Sequence, residues 1–276
     1  MRAGLAIVAT LALGSGLLMR GLVVDRFVFQ PSPGMQVVPE NIGIDAEQVW
    51  LDSEPGLRIH GFWLPARGAE VDRALLFLHG NAGNASHRLP NAAALADLGA
   101  HVLLIDYRGY GLSEGRASEA GVYADARVGL AHLVETRGVR EERVVLFGRS
   151  LGAAVAVDLA RDRRLAGVIL ESAFSSASDV ARGIFGAPGA WLAHGSFDSQ
   201  SKIHELRAPL LMLHGDRDRI IDPRLGQRLF ESAPEPKAFE WIRNAGHNDT
   251  VQVGGRRYFA RLGRFLDQVA PRDSAR

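Results

Sequence analysis

The feature that most constrains the fold is a series of five short, almost wholly apolar runs, at 74–78, 101–105, 143–147, 167–170 and 210–213. Runs this short without polar alternation suit strands buried on both faces, which occur in parallel sheets covered by helices. Helical stretches fall between them, at 91–98, 120–135, 151–161 and 224–231. Before the series, 49–51 and 57–64 flank Glu54-Pro55-Gly56. The second of these alternates apolar and polar residues, as a half-exposed antiparallel strand does. An antiparallel start followed by alternating strands and helices predicts an α/β chain with a mostly parallel central sheet flanked by helices.

One connection breaks the alternation. From Glu171 to Leu210 the chain is too long for a tight link and includes the Gly-, Pro-, Phe- and Trp-bearing stretch 183–191, so a small helical cap is expected over about 174–205. Its apolar residues either cover the core or meet substrate.

Residues 3–19 carry no charge and lie between Arg2 and Arg20. This length is at the short end for crossing a bilayer and the long end for a signal-peptide apolar region. No small-residue cleavage site follows the run, so an uncleaved anchor over 1–26 is favoured over a cleaved, exported signal. Arg2 on one side and Arg20 and Arg26 on the other leave orientation open. An extended linker is expected at 27–34, a catalytic domain over 27–270 and a frayed tail at 271–276.

The formal net charge is +1, which excludes the strongly basic surface that nucleic acid demands. The absence of cysteine excludes disulfides, thiolate metal sites and a Cys nucleophile.

The pattern G-x-S-x-G occurs twice, around Ser113 and around Ser150. A serine elbow has to follow a buried strand and open a helix, so that a strained turn presents the hydroxyl at the sheet's carboxyl edge. Ser150 follows Val144-Val145-Leu146-Phe147 and precedes Ala153-Ala154-Val155, which meets both demands. Ser113 sits in a Gly-rich loop and reads as a turn serine. A serine hydroxyl needs a base. Beyond Ser150 the histidines are His194, His204, His214 and His247. His247 lies in a loop, Asn244-Ala245-Gly246-His247-Asn248-Asp249, between the run 238–242 and the final helix, and is the candidate base. His214 ends a buried strand and is expected to be structural.

The acid should follow the run 210–213, where Asp216, Asp218 and Asp222 all stand. Composition does not choose among them; those not orienting the histidine are expected to pair with Arg217 or Arg219 or to cap the next helix. For an oxyanion hole the backbone N–H of Leu151 is one donor, and the loop His79-Gly80-Asn81-Ala82-Gly83-Asn84 supplies the other, with Asn81 first and Ala82 in reserve.

Taken together, HGNAGN, DYRGYGLSEG, GRSLG, HGDRDRIID and NAGHND resemble the α/β-hydrolase superfamily, most closely the group around α/β-hydrolase domain-containing proteins 13 and 17 and their bacterial, serine aminopeptidase-like relatives. The resemblance runs from about Phe27 to Leu266. It implies the α/β-hydrolase fold, Asp218 as the acid, and an N-terminal membrane segment ahead of a Phe/Pro stretch matched by Phe29-Gln30-Pro31. It also implies a serine hydrolase of acyl esters or thioesters that works without metal or organic cofactor on a small-molecule or lipid ester. Depalmitoylating members attach through an N-terminal Cys cluster that this chain lacks. Peptidase members carry an HGGPG-like loop where His79-Gly80-Asn81-Ala82-Gly83 stands. The rival readings are a catalytically silent scaffold that binds a lipid or protein, and a peptidase.

Overall fold

The computed structural model describes residues 24–67 and 71–272. The expected anchor therefore lies outside the described residues up to position 23, as does the tail from 273.

Among the described residues, eight strands form one sheet. They are β1 (Glu47–Glu54), β2 (Leu57–Leu64), β3 (Ala74–Leu78), β4 (His101–Ile105), β5 (Val144–Arg149), β6 (Gly167–Glu171), β7 (Leu210–Gly215) and β8 (Lys237–Ile242). Their order is β8-β7-β6-β5-β3-β4-β2-β1. The pairs β1–β2 and β2–β4 are antiparallel and the remaining pairs are parallel. The apolar runs are the buried interior strands: every residue of β3, β5, β6 and β7 is buried. In β1, Val49 and Leu51 point inward while Trp50 and Asp52 face out, the alternation of a strand with one wet face.

The principal helices are α1 (Leu89–Ala96), α2 (Glu119–Ala131), α3 (Leu151–Ala160), α4 (Ala177–Leu192), α5 (Pro223–Ser232) and α6 (Thr250–Val269). Alternate strand residues enter two cores. Leu76, Leu146, Val168 and Met212 pack with Val122, Val155 and Leu229 on the side of α2, α3 and α5. Leu75, Val145, Ile169 and Leu211 pack with Leu89, Tyr258 and Leu262 on the side of α1 and α6. Helix α3 is buried along its whole length, which its small residues Gly152, Ala153, Ala154 and Ala156 permit.

Three expectations are modified. The helix expected at 91–98 begins at Leu89, because Pro90 suits a first helical turn. The helix expected at 120–135 ends at Ala131 and closes in a π-turn, His132–Thr136. The segment expected as a linker is instead tied to the domain. Residues 24–28 are helical, Gln30–Pro31 pairs in parallel with Ala82–Gly83, and Phe29 is buried against Tyr110 and Phe197 at ring distances of 6.4 and 5.9 Å. An aromatic ring buried in this way costs too much to leave in a free linker.

In the long connection after β6, Ser176 caps α4 by accepting from the Asp179 N–H. The helix breaks at Gly186, whose φ is 66°, and folds back so that Ser178 Oγ donates to Ala190 O at 2.9 Å. Among the described residues no helix is long and apolar enough to cross a membrane.

Candidate active site

Strand β5 lies beside β3, where the chain changes direction across the sheet; the carboxyl ends of strands at such a point bound a crevice. Ser150 stands there with φ 54° and ψ −116°, a strained conformation for a residue with a side chain. Its amide donates to Glu171 O at 2.8 Å, and its carbonyl accepts from Ala153 N at 2.9 Å. The two glycines of the motif make this turn possible. A Cβ on Gly152 would lie 1.9 Å from Leu78 O, and one on Gly148 would lie 2.4 Å from Gly152 O. Helix α3 therefore crosses β3 and β5 at backbone contact, which only glycine allows.

Ser113 lacks this setting. Its hydroxyl accepts from His60 N at 2.8 Å and donates to Asp106 O at 3.0 Å, holding a turn against β2.

His247 lies in the loop between β8 and α6. Its Nε2 is 3.0 Å from Ser150 Oγ and its Nδ1 is 2.7 Å from Asp218 Oδ2. Chain segments far apart in sequence thus converge in a buried line, serine to imidazole to carboxylate. With Nδ1 donating to the carboxylate, Nε2 is left to accept the serine proton.

Asp218 is the aspartate of its loop that faces His247. Its Oδ1 accepts from Ile220 N and Ile221 N, each at 2.9 Å, and its Oδ2 also meets His214 Nε2 at 3.2 Å. Burial alone would raise its pKa. The hydrogen bonds from His214 and His247, the charge available on His247 and the Ile221 N–H outweigh burial and hold the carboxyl far below its ordinary range. The other two aspartates are occupied elsewhere. Asp222 caps α5 through Arg224 N at 2.9 Å, as expected. Asp216 accepts from Asn244 N at 2.6 Å and pairs with Arg243 at 3.4 Å rather than with Arg217 or Arg219.

The loop after β3 lies against the serine: a Cβ on Gly80 would sit 3.4 Å from Ser150 Cβ. Asn81 is fixed from several sides. Its Nδ2 donates to Val28 O at 3.0 Å, and its carbonyl accepts from Gln30 N at 3.1 Å and Tyr110 Oη at 2.7 Å. Leu151 is the first residue of α3, so its N–H has no partner within the helix and points out of the helix start. Ala82 is drawn into the short ladder with Gln30–Pro31.

The structure also brings in residues that sequence reasoning missed. Arg149, between the motif glycine and Ser150, is buried; its Nε donates to Glu171 Oε1 at 2.9 Å, and its Nη2 to His247 O at 2.6 Å and Asn248 Oδ1 at 3.2 Å. Glu171 additionally accepts from Thr250 Oγ1 at 2.7 Å and from the Tyr258 hydroxyl. The histidine loop is thereby tied to the strand that carries the serine. A charged residue at the end of a wholly buried strand was the available signal. His214, expected to be structural, stands at the end of β7 and braces Asp218, its Nε2 donating to Oδ2. Its Nδ1 is buried without a hydrogen-bond partner.

A surface groove of about 240 Å³, lined by Arg127, Asp158, Arg161 and Glu205 among others, contains none of these residues. Its charges pair with one another, as in Arg161–Asp158 at 3.4 Å.

A family profile described as serine aminopeptidase, S33, matches residues 69–195. An uncharacterized protein of Mycobacterium tuberculosis is 36% identical over 89% of this chain and 88% of its own length. The α/β-hydrolase domain-containing protein WAV2 of Arabidopsis thaliana is 30% identical over 90% of this chain and 88% of its own length. Among solved structures, an esterase of Pyrococcus furiosus superposes with a TM-score of 0.72 at 21% identity, covering 87% of this chain and 98% of that one. Sheet order, elbow and relatives agree: the chain belongs to the α/β-hydrolase superfamily.

Proposed function

We propose that the protein is a serine hydrolase that cleaves carboxylic esters or thioesters through an acyl-enzyme. One observation carries this reading: Ser150 Oγ, in a strained elbow, lies 3.0 Å from His247 Nε2, whose Nδ1 lies 2.7 Å from Asp218. Ser150 Oγ attacks the acyl carbon while His247 Nε2 takes its proton, and Asp218 holds the ring and stabilises the imidazolium. The N–H groups of Asn81 and Leu151 receive the developing oxyanion; one such donor is worth about 10²- to 10³-fold in rate. His247 returns the proton to the leaving alcohol or thiol, then activates the water that releases the acid.

Peptide cleavage is the second reading, favoured by the description of the matching family profile. The loop His79-Gly80-Asn81-Ala82-Gly83 argues for esters, since it departs from the peptidase pattern named above. We further propose that residues 1–26 attach the enzyme to a membrane, on the strength of the uncharged run 3–19.

The test combines a fluorophosphonate probe with p-nitrophenyl esters of graded chain length and aminoacyl p-nitroanilides. Ser150→Ala should abolish labelling and lower kcat by about 10⁶-fold, while Ser113→Ala keeps both. Labelling that persists in the Ser150 variant refutes the assignment. Faster turnover of anilides than of esters would select the peptidase reading.

A further inference from the structure

Besides Val38, Ile42, Trp50 and Val253, the described residues carry six large exposed apolar side chains that share one edge. Phe27, Leu112, Ile184, Phe185, Trp191 and Ile220 all stand on segments at the carboxyl edge of the sheet, where Ser150 opens. The contrast is sharpest in α4. Its buried residues are the small Ala177, Gly189 and Ala190, whereas Ile184, Phe185 and Trp191 are 60%, 62% and 72% exposed. A helix that covers a core turns its large apolar residues inward. Here they face outward, with Ile184 and Phe185 beside the break at Gly186, at the tip of the folded-back cap.

Two further observations say what meets this face. The first is chain connectivity. The uncharged run 3–19 leads into residues 24–28, which carry exposed Phe27 and are held at the same edge. Asp25 O accepts from Phe29 N, and Phe29 packs on Phe197 just beyond the cap helix. The second is charge. Arg26, Arg182, Arg217 and Arg219 are exposed on these same segments; none makes a direct ion pair among the described residues, and Arg182 lies in the field of a nearby carboxylate, Asp179. Nearby Asp179 and Asp216 are taken by Arg228 and Arg243, and Asp222 caps α5. Exposed aromatic and aliphatic residues sharing one edge with exposed arginines are the chemistry of a surface that beds into an anionic bilayer interface.

We propose that the carboxyl edge around the cap docks on an anionic lipid bilayer, with Ile184, Phe185 and Trp191 immersed below the headgroups. The domain is then not merely tethered but oriented, with its crevice facing the membrane. Acyl esters dissolved in the bilayer become the accessible substrate class; that consequence, unlike the docking itself, rests on the hydrolytic reading of the site.

Fluorescence on the full chain tests docking without reference to activity. The protein is mixed with vesicles of phosphatidylcholine and phosphatidylglycerol, with and without brominated acyl chains, beside a Trp191→Phe variant. Trp191 is one of four tryptophans, so the variant isolates its emission. Brominated vesicles should quench the wild-type emission, and the quenched component should be missing in Trp191→Phe. Replacing the exposed Ile184 and Phe185 together by Gln, with folding checked by circular dichroism, should cut that quenching about tenfold at limiting lipid. Equal fractional quenching in the wild type and Trp191→Phe overturns the proposal. So does a Trp191 that bromine never reaches, the result expected if the run 3–19 folds back over the cap or another protein covers it. Loss of ester turnover with quenching intact would refute the hydrolytic reading alone.

Discussion

Replacing Arg149 by Met should damage both stability and catalysis, by separable routes. The side chain is buried beside Ser150 and makes three hydrogen bonds, to Glu171, His247 O and Asn248. Removing one partner of a buried ion pair costs about 3–5 kcal/mol, because the remaining charge is left uncompensated. Glu171 keeps Thr250 Oγ1 and the Tyr258 hydroxyl, which places the loss at the lower end, about 3 kcal/mol. For a domain of this size that is a fall in Tm of roughly 6–12 °C. Catalysis suffers because the His247 loop loses its tie to the elbow. A displacement of about 1 Å at a reacting group costs on the order of 10²-fold. We therefore expect kcat to fall about 10- to 100-fold with KM little changed, because Arg149 is buried and acts through the carbonyl of His247. Thermal denaturation and steady-state ester hydrolysis read the two effects. Adding Glu171→Gln removes the stranded charge, so most of the lost Tm should return while kcat stays low, since the bond to His247 O is not restored. Recovery of both in the double variant would refute the positioning role, as would an Arg149→Met enzyme of reduced Tm and normal kcat.

Asp218→Asn should lower kcat/KM by about 10³- to 10⁴-fold near neutral pH, since the amide neither stabilises the imidazolium nor favours the productive tautomer. Asp216→Asn should cost far less in the same assay, and a reversed order would mean that another carboxylate orients His247. The low pKa of Asp218 gives stability a defined pH sign. The stabilisation is fully present above the ordinary carboxyl value of about 4 and is lost as pH falls from there towards the depressed folded value. Urea denaturation at descending pH should show the wild-type advantage over Asp218→Asn shrinking, and a widening gap on acidification would contradict the hydrogen-bond account. Gly152→Ala places a Cβ 1.9 Å from Leu78 O, so α3 has to move off β3. Little soluble protein, or a loss above about 3 kcal/mol by denaturation, is expected, and an unchanged Tm would refute the close crossing.

What the sequence determined by itself is whatever depends on near neighbours. Burial on both faces removes polar residues from a strand, so the runs at 74–78 and 101–105 were readable as β3 and β4 with the bounds observed. The elbow was equally legible, because strand, strained turn and helix follow within one short stretch around Ser150. The tertiary structure decided the partners. Three aspartates share one loop with the same local chemistry, and only the path of that loop beside β8 turns Asp218 to His247 and Asp216 to Asn244. Arg149 meets the carbonyl of a residue 98 positions away, and Glu171 meets Tyr258 across 87. Periodicity and composition report whether a side chain is buried, since burial is set by each element's own faces. They carry no record of which distant group a buried charge will meet, because that depends on which strands and loops the tertiary fold sets side by side.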